Sequence, residues 1–370
     1  MVLIGSCREP VEPAPAPLRR TVVVYMMAEN SLSGASQADL AEMRSALGDI
    51  PEDCALVVYV DDSRTDLRPR IISFTSKEGE RVLYEYSEDP VSTDSLTMLN
   101  ALRRIVRERP AHSYGLVLWS HATGWAPAPR RTVGIDNGRN STSDVGHEME
   151  IATLRGVLDQ VGVQWDYIFS DACFMQGVEV AYELRHLTRW LVGSPAEIPA
   201  AGAPYDRLMP LFFQDEGAAL AIAQGYFDAY KSTTGLLISA VQTSGLDALL
   251  AATRALLPSG LEGLPADGIQ AYCAYASLTN WKPEYYDLAS AMNRWLEAED
   301  YARWLPALEA AVPLRLASAS WLTAYGRVFS ATLTDAAHYA GLSIYFPLAG
   351  RTEHNEAWRQ TQWALDLGTP

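Results

Sequence analysis

Several features are scarce in this 370-residue chain, and each scarcity closes a class of function. No apolar run approaches the about 20 residues that a membrane-spanning helix needs. Cysteine is limited to Cys7, Cys54, Cys173 and Cys273. None of these forms a Cys-x-x-Cys pair, and no His/Cys cluster has zinc spacing. Four scattered thiols are no disulfide framework for a core of this size, so free thiols and no bound metal are expected. Basic residues are outnumbered 29 to 45, giving a net charge of −16. Such a surface repels phosphate backbones, which argues against a nucleic-acid partner. The Gly-x-Ser-x-Gly elbow, the phosphate-binding loop and the dinucleotide fingerprint are all missing. No internal repeat is visible.

What remains is apolar and periodic. Hydrophobic residues make up 48% of the chain, enough for a large core. Thr21–Met27, Ala55–Val60, Tyr114–Ser120 and Trp165–Ser170 are short β-rich apolar runs, the pattern of strands buried on both faces. Trp190–Gly193 and Gly235–Val241 read as further strands, and Arg70–Tyr86 as a hairpin. Between them lie helices over Ser36–Leu47, from Ser92-Thr93-Asp94 to Arg109, over Glu150–Val161, Val178–Leu187, Gly217–Ala229 and Asp247–Leu257. Strands alternating with helices predict an α/β fold, a mostly parallel sheet with helices on both faces. A weak linker at Pro258–Gly268 precedes a helix-rich region dense in Trp and Tyr, including Trp281, Trp295, Trp304 and Trp321, whose best use is core packing. Gly341–Phe346 reads as one more buried strand.

The N-terminus has two readings. Met1–Ser6 followed by Cys7 resembles the cleavage box of a bacterial lipoprotein, without the charged and long apolar regions of a full signal; the alternative is an ordinary frayed end. Arg8–Arg20 is an extended linker either way.

Ligands of open α/β sheets bind at the carboxyl ends of the strands. His121 directly follows the third strand and Cys173 the fourth, 52 positions apart, about one βαβ unit. A cysteine nucleophile needs an accessible thiolate and a base to manage protons, and this pair supplies both types. A helix starting just after Cys173 would lower the thiol pKa through its dipole. Backbone N–H groups of Ala122-Thr123-Gly124 and of Cys173 are candidate oxyanion donors. The remaining histidines, His112, His147, His186, His338 and His354, show no partner pattern.

The runs Leu116–Trp125 (L-V-L-W-S-H-A-T-G-W), Ser170–Met175 (S-D-A-C-F-M) and Val178–Arg185 (V-E-V-A-Y-E-L-R) resemble the clostripain family of bacterial cysteine peptidases. Val22–Asn30, Ser92–Thr97, Ser194–Pro199 and Gly341–Pro347 agree, so the resemblance covers most of the chain from Thr21 to Pro347. It implies a caspase-like fold, shared with gingipains, legumain and caspases. In that fold 21–260 form the peptidase core and 261–370 a helix-rich region that returns a strand (341–347) to the core. It implies that His121 is the catalytic histidine and Cys173 the nucleophile, with Ala122 and Cys173 as the oxyanion hole. It implies cleavage of proteins or peptides after Arg or Lys, with Asp171 as the acid of the first pocket and Glu197 and Asp206 as further carboxylates. It also implies self-cleavage in the 122–148 loop, at Arg130, Arg131 or Arg139. No cofactor is expected; the family analogy adds calcium, for which Asp61 and Asp62 are the strand-end candidates. Localisation follows as cell envelope or secreted, with Cys7 as the residue for a lipid anchor. One departure stands out: the family has Gly where this chain has Ala122, whose methyl narrows the site. That keeps a rival open, a catalytically inactive caspase-like binding module at the cell surface. A second rival is a hydrolase or ligase using the same dyad on a non-peptide acyl group.

Overall fold

The computed structural model describes residues 15–125, 133–272, 283, 285–323 and 329–368. The chain forms β1 (Leu18–Ala28), β2 (Cys54–Asp62), β3 (Arg70–Thr75), β4 (Gly79–Glu85) and β5 (Ala111–Trp119). A hairpin of β6 (Val133–Asp136) and β7 (His147–Met149) follows, then β8 (Trp165–Asp171), β9 (Thr188–Gly193) and β10 (Leu237–Gln242). Beyond these come β11 (Ala271–Tyr272), β12 (Tyr285–Asp287), β13 (Leu314–Ala317), β14 (Ser320–Thr323), β15 (Phe329–Thr332) and β16 (Ser343–Ile344).

Among the described residues nine strands make one sheet in the order β13-β10-β9-β8-β5-β1-β2-β3-β4. The five central strands, β9 to β2, run parallel. The two on each flank join through antiparallel pairings, so the sheet is mostly parallel, as expected. Side chains alternate across the sheet with period two. Val23, Tyr25 and Met27 therefore enter one core, and Val22, Val24 and Met26 the other. Both faces are covered, as a parallel sheet requires. The edge strand β4 carries Glu80, Arg81 and Glu85 and is largely exposed, which blunts its unpaired side.

The helices form where local chemistry favours them. The Asp94 carboxylate accepts from Leu96 N and Thr97 N and so starts the helix Ser95–Glu108 on the predicted cap. Gly162, at φ 79°, ends the helix Ile151–Val161 in the left-handed region. Residues beyond 260 share a core with the sheet: Trp304, Trp358 and Trp363 are fully buried in the same cluster as Val23 and Leu116, so these aromatics pack. β16 pairs with β12, and Ser343 bridges to Gly177 just before the helix Val178–Leu184.

Candidate active site

β5 and β8 are adjacent and parallel, with Trp119 opposite Asp171. His121 and Cys173 therefore each stand two residues past one paired position, at the carboxyl edge of the sheet. The loop after β5 is held from below: Ser120 Oγ donates to Met27 O at 2.7 Å, and Gly134 N donates to His121 O at 3.0 Å. The imidazole Nε2 lies 2.9 Å from Ser31 Oγ and 3.1 Å from Asp144 Oδ1. Asp144 also accepts from Ser31 N. Burial works to raise the Asp144 carboxyl, but hydrogen bonds and charge from His121 and the Ser31 donors outweigh it and hold the group at about 2.

Cys173 is a half-buried free thiol. Phe174, next in the chain, has φ 58°, a left-handed conformation that costs a non-glycine residue free energy and collects at functional sites. Phe174 N and Gln176 N donate to Ala196 O and Ser194 O, which ties this turn to the segment after β9. The same segment reaches the sulfur, because Ile198 N donates to Cys173 Sγ at 3.5 Å. The expected helix dipole is not there: the next helix starts at Val178, five residues on. Burial pushes the thiol up to about 12, the Glu197 charge adds to it, and Asp171 contributes less.

Asp171 is 3% exposed. Its oxygens accept from Ala203 N, Tyr205 OH and Tyr226 OH. Burial raises its carboxyl to about 6 despite those donors. Gly202 approaches closely, since a Cβ there would sit 3.0 Å from Asp171 Oδ2. Glu197 is also buried, directly before the Ile198 donor. Asp206, expected in a loop, is instead exposed on the first turn of the helix Tyr205–Phe212. Ala122 is 4% exposed and its methyl belongs to the hydrophobic core, which accommodates the departure from glycine. Arg139 pairs with Asp89 at 3.0 Å. Arg130, Arg131, Cys7 and Cys273 lie outside the described residues.

Asp61 and Asp62 point to opposite faces of β2. Asp62 accepts from Gln37 Nε2 and Arg64 N. Asp61 is fully buried beside Glu29 and Asp136, one carboxylate oxygen of each lying within 4.8 Å of the others. Burial first, then neighbouring acids, raise Glu29 to about 10 and Asp61 to about 9.

The sequence profile of the Clostripain family matches residues 24–366. The chain belongs to the clostripain family. Among solved structures it is similar to a secreted C11 cysteine protease from Bacteroides thetaiotaomicron in complex with an irreversible peptide inhibitor. The identity is 28% and the TM-score 0.82, over 94% of this chain and 99% of that one. An inactive zymogen C11 protease from Parabacteroides distasonis gives 28% and 0.82, over 95% of this chain and 99% of that one. A B. fragilis cysteine protease gives 33% and 0.54, over 60% and 94%. No curated protein matches. This clostripain-family chain is thus a cysteine peptidase with a caspase-like fold. No helix among the described residues is long and apolar enough to cross a membrane.

Sequence reasoning missed two residues of the site, Ser31 and Asp144. Ser31 follows β1, the strand beside β5, so the strand-end rule applied to every neighbouring strand would have found it. Asp144 sits in N-S-T-S-D, a polar stretch without periodicity, and no sequence signal distinguishes it.

Proposed function

We propose that Cys173 and His121 are the catalytic pair of this peptidase and that it cleaves proteins or peptides after Arg or Lys. The observation that carries this reading is their shared position two residues past the Trp119–Asp171 pair. In the proposed reaction the thiol gives its proton to His121 and the sulfur attacks the scissile carbonyl. The N–H groups of Ala122 and Cys173 receive the oxyanion. Collapse breaks the C–N bond, and His121 returns the proton to the leaving amine. Water, deprotonated by His121, then cleaves the thioester and restores the thiol. Asp144 and Ser31 hold Nε2, which leaves Nδ1 for proton exchange with Cys173. Thiol chemistry of this kind needs no cofactor.

The preference for basic residues rests on charge. Glu197 and Asp171 are the two acids that act on the Cys173 thiol. A substrate cation placed between them is attracted and also cancels the field that opposes the thiolate. Asp206, exposed on the first turn of its helix, is the third carboxylate of this reading. Self-cleavage of the 122–148 loop belongs to the same reading: its arginines are the residue type that the pocket selects. Export is part of the proposal as well, supported by the secreted relative. Cys7 is the residue that would carry a lipid.

A fluorogenic panel with Arg, Lys or neutral residues before the scissile bond tests the proposal, run beside Cys173→Ala. Only the basic substrates should turn over, and the variant should abolish turnover. Asp171 is charged above about pH 6 and neutral below it. kcat/KM for basic substrates should therefore fall as pH drops through that value. Equal turnover of neutral substrates would remove the charge argument, and activity in Cys173→Ala would remove the nucleophile.

A further inference from the structure

The large sheet ends on β13, and no strand of the described residues pairs with its outer side. On the inner side Ser318 N donates to Leu236 O. Antiparallel pairs alternate between bonded and non-bonded, so Leu316 also faces β10. Arg315 and Ala317 therefore turn their main-chain N–H and C=O groups outward. Every residue of β13 is half-buried, so this edge is open to water. The opposite edge strand, β4, is blunted by several charges, whereas β13 carries only Arg315.

The side chains of β13 alternate as well. Leu314 and Leu316 pack into one core. Arg315 and Ala317 stand on the other face and line a cavity of about 780 Å³, together with Tyr301, Glu309, His338 and Tyr339. Two donors in this lining are unused. The Arg315 side chain is 25% exposed and makes no hydrogen bond to a described residue; its one acidic neighbour is Glu309, at 4.0 Å and more than half exposed. Tyr339 OH is buried and has no hydrogen-bond partner among the described residues. Buried donors are normally paired, and a guanidinium offers several in a fixed fork.

We propose that the β13 edge and this cavity together bind an extended peptide that carries a carboxylate. The peptide adds a strand to the sheet by pairing with the outward main-chain groups of Arg315 and Ala317. A residue directly opposite Arg315 has its Cβ within about 5.5 Å, the reach of a cross-strand ion pair. An acidic side chain there meets the guanidinium in the fork geometry that suits a carboxylate, and Glu309 turns to solvent. The two observations narrow the partner independently. The open edge selects extended main chain, and the unbonded guanidinium selects an anion. β13 lies three places from β8 in the sheet, about 14 Å at strand spacing, so this site is separate from Cys173.

A fluorescein-labelled peptide of alternating valine and threonine with one central glutamate tests the site, read by anisotropy on Cys173→Ala protein. It contains no arginine or lysine, so its binding is distinct from the cleavage proposed above. It should bind with a micromolar dissociation constant. The glutamine analogue should bind about fivefold more weakly or worse, and Arg315→Gln should weaken the glutamate peptide by the same factor. N-methylation along one edge of the peptide blocks main-chain pairing and should cost about tenfold or more. Ala317→Pro removes one outward N–H, a change that an edge strand tolerates, and should weaken binding while the melting temperature stays close to that of the parent. The proposal is overturned if the glutamate peptide does not bind, or if the glutamine analogue or Arg315→Gln leaves the affinity unchanged. Equal binding of the N-methylated peptide would also overturn it, because the site would then take any anion. Sedimentation of the free protein should show a monomer. A dimer that Ala317→Pro converts to monomer would place a second copy of this chain on the edge and overturn the proposal too.

Discussion

The surroundings of Cys173 oppose its own ionisation. The residue is half-buried; burial first, then the Glu197 charge, hold the thiol up at about 12. A thiol at that value carries little thiolate at neutral pH, and the thiolate is the nucleophile. The Ile198 N–H partly offsets this, but one neutral donor does not balance burial and two carboxylates. In the proposed reading Glu197 opposes the thiolate, and a cationic substrate would offset its charge. Replacing it tests that idea without touching the pair. Glu197→Gln keeps the shape and removes the charge, so the thiol should ionise more readily. Iodoacetamide should alkylate Cys173 at pH 7 about threefold to tenfold faster than in wild type, since one unit of pKa changes the thiolate fraction about tenfold. The same variant should bind basic substrates less well. An unchanged or slower alkylation rate would show that burial alone sets the thiol.

At the scale of elements, the site is the meeting of two turns. The loop after β5 and the turn after β8 touch backbone to backbone at Gly124, where a Cβ would lie 2.9 Å from Phe174 O and 3.2 Å from Tyr285 OH. Gly124 also has φ 78°, and Tyr285 OH donates to the neighbouring Thr123 O. A side chain here meets two penalties, the left-handed backbone and the contact, of which the backbone alone costs about 1–2 kcal/mol. Gly138→Ala separates them, because Gly138 has φ 75° and open space around its Cβ position. Both alanines should lower the melting temperature. Only Gly124→Ala should also cut kcat, by about tenfold or more, because it pushes His121 and Cys173 apart. Equal kinetics in the two variants would mean that the turns do not depend on this contact.

These turns also mark the limit of what the sequence made legible. The strands carrying His121 and Cys173 are apolar runs with nothing to confuse them, and their adjacency followed from the βαβ rule. The positive φ of Phe174 follows no composition rule, since a phenylalanine there looks like any apolar residue. Asp144 reaches His121 from a loop with no pattern, and Glu29 meets Asp61 and Asp136 only because three strand ends converge. Asp206 was misplaced for the opposite reason. The segment from Ser194 to Asp206 reads as a polar loop, whereas Pro204 stands immediately before the helix Tyr205–Phe212.

At the scale of the whole molecule, the covalent link between His121 and Cys173 is less important than the sheet. A cut after Arg130 or Arg131 would leave β1 to β5 on one fragment and β6 to β16 on the other. His121 and Cys173 would then belong to different chains. The two fragments would still share the β5–β8 pairing, six residue pairs in the middle of a nine-stranded sheet, and the core on both of its faces. Such an interface is a domain core cut in half, and it holds without the connection. Arg139 is the poorer site for a cut, because its guanidinium pairs with Asp89 and its segment is tied by Asn140 N to Ser63 O. Purified wild-type protein should thus run as two bands on denaturing electrophoresis and as one peak on native size exclusion. Cys173→Ala should give one band. Arg139→Ala should leave the two bands in place, and a double Arg130→Ala, Arg131→Ala variant should remove them. A single band from wild-type protein, identical to that of Cys173→Ala, would show that the connection stays intact.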